Sequence, residues 1–294
     1  MRTAAAEPSP LVARAQRTVG RPVMLAGIGL HSGAPVRITL DAGPPGSGIV
    51  FVRRDRPDAA PIRAALSAVR DSRRGVTLGG EATDVTVATV EHFLSAAAGL
   101  RIDNLRVDVE GPELPALDGS AAGFVTALAE AGAVDQEMPA GQILLGAGEI
   151  TEGRGRAVTR PAADLSVTYT VELPVPLGTQ TASATLHRYR NEVAPARTWG
   201  FAEEAEGLRA AGLARGAGLD NVLVIGPEGY LNPPRFPDEP ARHKILDLIG
   251  DLALLGARVC GEVEVHSGGH RLHLSLAREI ARRWGPGASE RQVP

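Results

Sequence analysis

The first rhythm along the chain has a period of two. In "VRITLDA" (36–42) and "GIVFVRRD" (48–55) apolar and polar positions alternate, as in strands with one buried face, and "GPPGSG" between them predicts a turn. "DVTVATV" (84–90) begins the same way, but "EHFLSAAAGL" (91–100) then turns helical, with Gly99 as its stop. "IDNLRVDVEG" (102–111) predicts another strand, and "GSAAGFVTALAEAGA" (119–133) a helix ended by Gly132. The Pro/Gly-containing "QEMPAGQ" (136–142) is the break that best suits a domain boundary. Beyond it, strands are predicted near 143–150, 156–160 and 165–174, a helix over 202–214 and a strand at "NVLVIG" (221–226). The longest helix, "ARHKILDLIGDLALLG" (241–256), is followed by the strand "ARVCGEVEVH" (257–266) and a closing helix over 272–284. Strands mixed with helices, without regular βαβ alternation, predict an α+β fold. The two halves end alike, which suggests duplicated architecture without evident sequence identity.

Composition narrows this picture. A chain of 294 residues, 44% apolar and 22% charged, suits one large domain or, in preference, two, and needs no disulfide or structural metal merely to fold. A net charge of −3 gives no reason to expect nucleic acid or an anionic membrane surface as partner. Cys260 stands alone, so no internal disulfide can form, consistent with a reducing compartment. No apolar run approaches the length of a membrane span. Residues 1–15 lack the apolar core of a signal peptide; a frayed terminus is expected there, with an organelle transit peptide as the alternative. Of the 31 basic residues only Lys244 is lysine.

The polar residues of the longest helix disturb its apolar pattern. His243, Asp247 and Asp251 recur every four residues and therefore share one stripe. Imidazole and carboxylate at that spacing can converge on one metal ion; the alternative is an ordinary helical His–Asp pair. In "TVEHFLSA" (89–96) His92 is a candidate third ligand and Glu91 a carboxylate beside it, although Glu91 would also complement the helix dipole. "HSGGHRLHLSL" (266–276) places His270 directly after two glycines, while His266 and His273 read as strand-end and helix-surface residues. "ARTWGF" (196–201) puts a hydroxyl beside two aromatics. Together the segments suggest metal-assisted hydrolysis: three ligands, a carboxylate base, a histidine acid and a hydroxyl for an oxyanion.

These motifs, in this order with "GIGLHSG" (27–33), "TVEHFLSAAAGLRIDN" (89–104) and "ELPALDGSAAGFV" (113–125), resemble the UDP-3-O-acyl-N-acetylglucosamine deacetylases, zinc amidases of lipid A synthesis. The resemblance implies Zn2+ held by His92, His243 and Asp247, and Glu91 as general base. It implies His270 as cationic acid or electrostatic partner of the leaving amine, Asp251 orienting His270, and Thr198 at the oxyanion. Lys244 would contact the polar head of a UDP-linked acylated aminosugar, with Trp199, Phe201 and Leu78 as further substrate contacts. It also implies two similar α+β domains, 16–138 and 143–285, facing each other across the site. A βαβ insert near 202–226 would form an acyl-chain passage lined by Leu208, Leu213, Leu219 and Val222. A cytoplasmic monomer without stable membrane insertion is expected. The chain departs from the pattern at His273, where an asparagine is expected, at "SAAGF" (120–124), in a shortened loop at "EGYLNPPRFPDEP" (228–240) and in a loosely matching stretch over 70–83. Competing functions are a non-catalytic binding paralogue and a zinc hydrolase of another amide.

Overall fold

The computed structural model describes residues 14–80 and 84–285, so most of the segment 1–15 lies outside the described residues. Alternation is strongest where a strand has one covered face. In Pro35–Ala42 the side chains of Val36, Ile38 and Leu40 are buried and those of Pro35, Arg37 and Ala42 exposed. This strand forms an antiparallel hairpin with Val23–Ile28 and pairs antiparallel with Leu105–Glu110 on its other side. Leu105–Glu110 in turn pairs parallel with Ile49–Arg53, whose outer neighbour is the short antiparallel strand Ile62–Arg63.

The second sheet repeats that connectivity. Gly148–Glu152 and Gly155–Arg160 form the hairpin, and Arg258–His266 lies antiparallel to the latter. Arg258–His266 pairs parallel with Leu165–Glu172, which pairs antiparallel with Thr179–Thr185. Gln142–Leu144 adds a parallel pairing at the start of Arg258–His266. Both sheets thus share strand order and strand sense, and the α+β expectation holds.

Among the described residues six α-helices accompany the sheets: α1 (Glu91–Gly99), α2 (Ala122–Ala131), α3 (Tyr189–Glu192), α4 (Ala205–Ala210), α5 (Glu239–Ala253) and α6 (His270–Trp284). α1 and α2 flank the central strand of the first sheet in sequence, as α5 and α6 flank that of the second. α1 packs on α5, and one apolar core runs through both sheets and both helices. A β-carbon at Gly250 of α5 would overlap the Glu91 carbonyl, so glycine is what permits the first turn of α1 to lie against α5.

Three expectations change in detail. Residues 136–139, expected within a break, belong to the strand Ala133–Pro139, paired antiparallel with Ala15–Val19. Most of that strand is exposed, so no apolar alternation announces it. The helix expected over 202–214 is only α4 preceded by a 3-10 turn at Ala202–Glu204, because Gly207 weakens it and Gly212 adopts a positive φ of 78°. The closing helix begins at His270 rather than at residue 272, which places that imidazole at the helix start.

Candidate metal and active site

α1 and α6 both begin at a cleft of about 580 Å3, into which the first half of α5 also projects. Its walls include Glu91, His92, Thr198, Trp199, Phe201, His243, Lys244, Asp247 and His270. His92, His243 and Asp247 form a buried group whose ligand atoms all lie within 4.8 Å of one another. Asp247 Oδ1 is 3.3 Å from His243 Nε2 and 3.7 Å from His92 Nε2. His243 Nδ1 lies 3.1 Å from the Ala196 carbonyl and so donates to it, which leaves the Nε2 lone pair facing the group. Burial, reinforced by His243, holds His92 down at about 3, and burial also lowers His243, so both rings are neutral as metal ligands must be.

Asp247 is ionised: burial would raise its pKa, but His243, Lys244, His270 and His92 hold it well below the usual carboxylate range. Its Oδ2 accepts from Lys244 Nζ at 2.9 Å, whereas its buried Oδ1 has no hydrogen-bond partner. A buried, ionised and unpartnered oxygen beside two neutral imidazoles is costly alone and fits a cation. The donor set therefore suits a metal ion.

Beside this group stand a carboxyl and an imidazole of opposite tendency. Burial pushes Glu91 up to about 7, with the His270 charge opposing and Asp247 and Asp251 adding to the rise. Its Oε2 accepts from the Val76 N–H at 2.9 Å, and Oε1 lies 3.7 Å from His270 Nε2. Burial alone would lower His270, but the charges of Asp251 and Asp247, the Asp251 hydrogen bond and Glu91 push it up to about 10. Asp251, fully buried behind the cleft, accepts at Oδ2 from His270 Nδ1 at 2.7 Å and from His273 Nδ1 at 2.8 Å. A carboxyl near neutrality facing a protonated imidazole is the arrangement general acid–base chemistry requires.

Local backbone geometry supports these positions. Thr89, two residues before Glu91, has φ 55°, and Ser267, before the Gly-Gly-His turn, has φ 49°. Such strain in non-glycine residues persists only where the surroundings impose it. Thr198 is held by its N–H to the Gly119 carbonyl and by its own carbonyl accepting from Leu223 N–H. The strand Trp199–Phe201, α4 and the parallel strand Leu223–Gly226 form a βαβ unit, and a second pocket of about 330 Å3 opens there. It shares Thr198, Trp199 and Phe201 with the cleft and is lined by Leu208, Leu219 and Val222, but not by Leu213.

Besides Leu213, two residues sit elsewhere than expected. Leu78 is wholly buried in the core and lines neither pocket, because the strand Thr77–Gly79 turns its side chain inward. His273, expected on the helix surface, is wholly buried and bonded to Asp251 and Tyr169, since it lies on the same side of α6 as Leu276, Ala277 and Ile280. His266, at its strand end, pairs with Glu172 away from the cleft. Sequence reasoning missed Arg73, Arg74 and Arg271 at the cleft wall; the Arg-Arg doublet in "RDSRRG" and the arginine directly after His270 were the available signals.

Among the described residues no helix is long and apolar enough to cross a membrane. Comparison with known proteins gives consistent results. A model of the LpxC family, UDP-3-O-acyl N-acetylglycosamine deacetylase, matches residues 16–282. A UDP-3-O-acyl-N-acetylglucosamine deacetylase of Thermosynechococcus vestitus is 42% identical over 95% of this chain and 99% of its own length. Those of Myxococcus xanthus and Chromobacterium violaceum are 42% and 41% identical over 90% of this chain, covering 86% and 90% of their own lengths. With its site geometry and these matches in agreement, the chain belongs to the LpxC family of UDP-3-O-acyl N-acetylglycosamine deacetylases.

Proposed function

We propose that the protein hydrolyses the acetamide of UDP-3-O-acyl-N-acetylglucosamine, using Zn2+ and releasing acetate and the free amine for lipid A synthesis. The observation that carries the metal reading is the buried, unpartnered Asp247 Oδ1 facing two neutral imidazoles. His92, His243 and Asp247 hold the ion; N and O donors of this kind suit zinc. When bound, Zn2+ supplies Lewis-acid polarisation of the amide carbonyl and makes water easier to deprotonate.

The chain's own groups supply the proton transfers. Glu91 takes a proton from the attacking water as the new C–O bond forms, its Oε2 being held by Val76. His270, charged at neutral pH, delivers a proton to the amide nitrogen as the C–N bond breaks, leaving a neutral amine and acetic acid, which gives its proton to water to become acetate. Asp251 accepts from His270 Nδ1 and keeps Nε2 aimed at the cleft. The Thr198 hydroxyl donates to the developing oxyanion. Lys244 contacts the sugar head, and Arg73, Arg74 and Arg271, each paired with a carboxylate, stand on the cleft wall as groups suited to a diphosphate. The acyl chain enters the apolar pocket past Trp199 and Phe201.

The same reading divides the chain into domains at 16–138 and 143–285, with the insert near 202–226 belonging to the second, and makes it a cytoplasmic monomer. The test is acetate release from the UDP-sugar by purified protein, run with metal analysis and with a chelator. About one zinc per chain and activity abolished by the chelator are expected. Metal-free protein with chelator-indifferent activity would overturn the mechanism.

A further inference from the structure

His273 has no task in this mechanism, although its surroundings are as closely specified as those of any residue that does. It is wholly buried, so both ring nitrogens must find partners within the protein. Nδ1 lies 2.8 Å from Asp251 Oδ2, and Nε2 lies 2.9 Å from the Tyr169 hydroxyl. A carboxylate only accepts, so Nδ1 carries the proton. In a neutral ring Nε2 is then bare and accepts from Tyr169. Burial keeps His273 below the usual histidine range against the pull of Asp251, and holds the Tyr169 hydroxyl protonated.

We propose that His273 is a positioning residue for His270: an imidazole anchored at Nε2 by Tyr169, it donates from Nδ1 to Asp251 and holds the carboxylate that orients His270. The inference rests on the hydrolytic reading above.

The geometry gives this arrangement a purpose. His270 and His273, three residues apart on α6, reach the same oxygen of Asp251. The other oxygen, Oδ1, is buried without a partner, so the two imidazoles are what keep the carboxylate from rotating. His270 faces the cleft and exchanges its Nε2 proton with substrate, whereas His273 faces Tyr169 and does not. Asp251 therefore retains one constant donor throughout turnover. Because that donor is neutral, it brings no second cation to share the Asp251 charge. Tyr169 sits on the strand Leu165–Glu172, inside the second sheet, and so ties the whole chain of contacts to a rigid element.

Two near-isosteres separate the donor role from mere filling of space. The amide nitrogen of asparagine falls where His Nδ1 lies, so His273→Asn keeps a donor for Asp251 and gives up Tyr169. The amide of glutamine falls where Nε2 lies, so His273→Gln keeps a partner for Tyr169 and gives up Asp251. His273→Asn should hold kcat within about threefold, whereas His273→Gln and His273→Leu should lose about 10–100-fold, the usual loss when a partner of a site residue is removed. KM and zinc content should stay at wild-type values in all three. Tyr169→Phe should lower kcat by a smaller factor and have no added effect in the His273→Asn background. Should His273→Leu fail to fold, the Asn and Gln pair, both polar and similar in size, decides the matter. Active wild-type protein whose Asn and Gln variants are equally impaired, or equally unimpaired, would overturn this inference alone. Wild-type protein with no deacetylase activity would overturn the hydrolytic reading and this one with it.

Discussion

Glu91 and Asp251 are both buried carboxyls near the same imidazole, yet their neighbours give them opposite characters. Glu91 is pushed up to about 7 by burial, while Asp251, despite burial, is held below the usual range by the charge and hydrogen bond of His270 and by His273. Glu91→Gln removes the carboxylate proposed as proton acceptor but keeps the size of the side chain. It should retain metal and lose about 10²–10⁴-fold in kcat, read by turnover and metal content together. Asp251→Asn removes the negative charge that favours the protonated form of His270, so the His270 pKa falls from about 10. The alkaline limb of the kcat/KM profile should therefore move to lower pH with metal still bound; loss of metal instead would make Asp251 a ligand. The i, i+4 spacing of His243, Asp247 and Asp251 made this stripe legible in the sequence, but not the different surroundings of its two aspartates. His273 was misplaced although its spacing to Leu276, Ala277 and Ile280 already put it on the buried side of α6.

Among the elements, α1 and α5 carry the site, and their separation is set by one small residue. Gly250 faces the Glu91 carbonyl at a distance that excludes any β-carbon. Gly250→Ala must push the two helices apart or distort the first turn of α1, displacing Glu91 and His92 relative to His243 and Asp247. Overpacking of this kind costs about 1–3 kcal/mol. Urea unfolding should show that loss, and residual activity should fall further than stability alone explains; wild-type stability would mean that the contact is looser than described. Elements with one buried face, such as 36–42, could be read from alternation alone. The ribbon of Ala15–Val19 with Ala133–Pro139 could not, because its second strand is mostly exposed and its sequence follows no burial pattern.

For the whole molecule, two sheets of identical connectivity were foreshadowed by the similar endings of the two halves and by the family resemblance, not by sequence identity, because strand pairing is non-local and two sequences can share it without sharing residues. What breaks the likeness is the three-stranded insert before the site helices: in the first half Val69–Asp71, Thr77–Gly79 and Thr86–Val87 pair antiparallel, whereas in the second Trp199–Phe201 and Leu223–Gly226 pair parallel around α4. The apolar pocket of the second insert adjoins the cleft through Trp199 and Phe201, so an acyl chain attached to a sugar in the cleft has a direct path into it. Leu208, on the short helix α4 and only partly buried, can be enlarged without disturbing the main core. Leu208→Trp should shorten the pocket and leave the distal methylenes of a long acyl chain in water. Each methylene so exposed costs about 0.8 kcal/mol, roughly fourfold in kcat/KM. Assayed across a series of acyl lengths, the variant should match wild type on the shortest substrates and diverge progressively on longer ones, through KM rather than kcat. A loss independent of chain length would place the acyl group outside this pocket and leave the unit around α4 without a role in substrate selection.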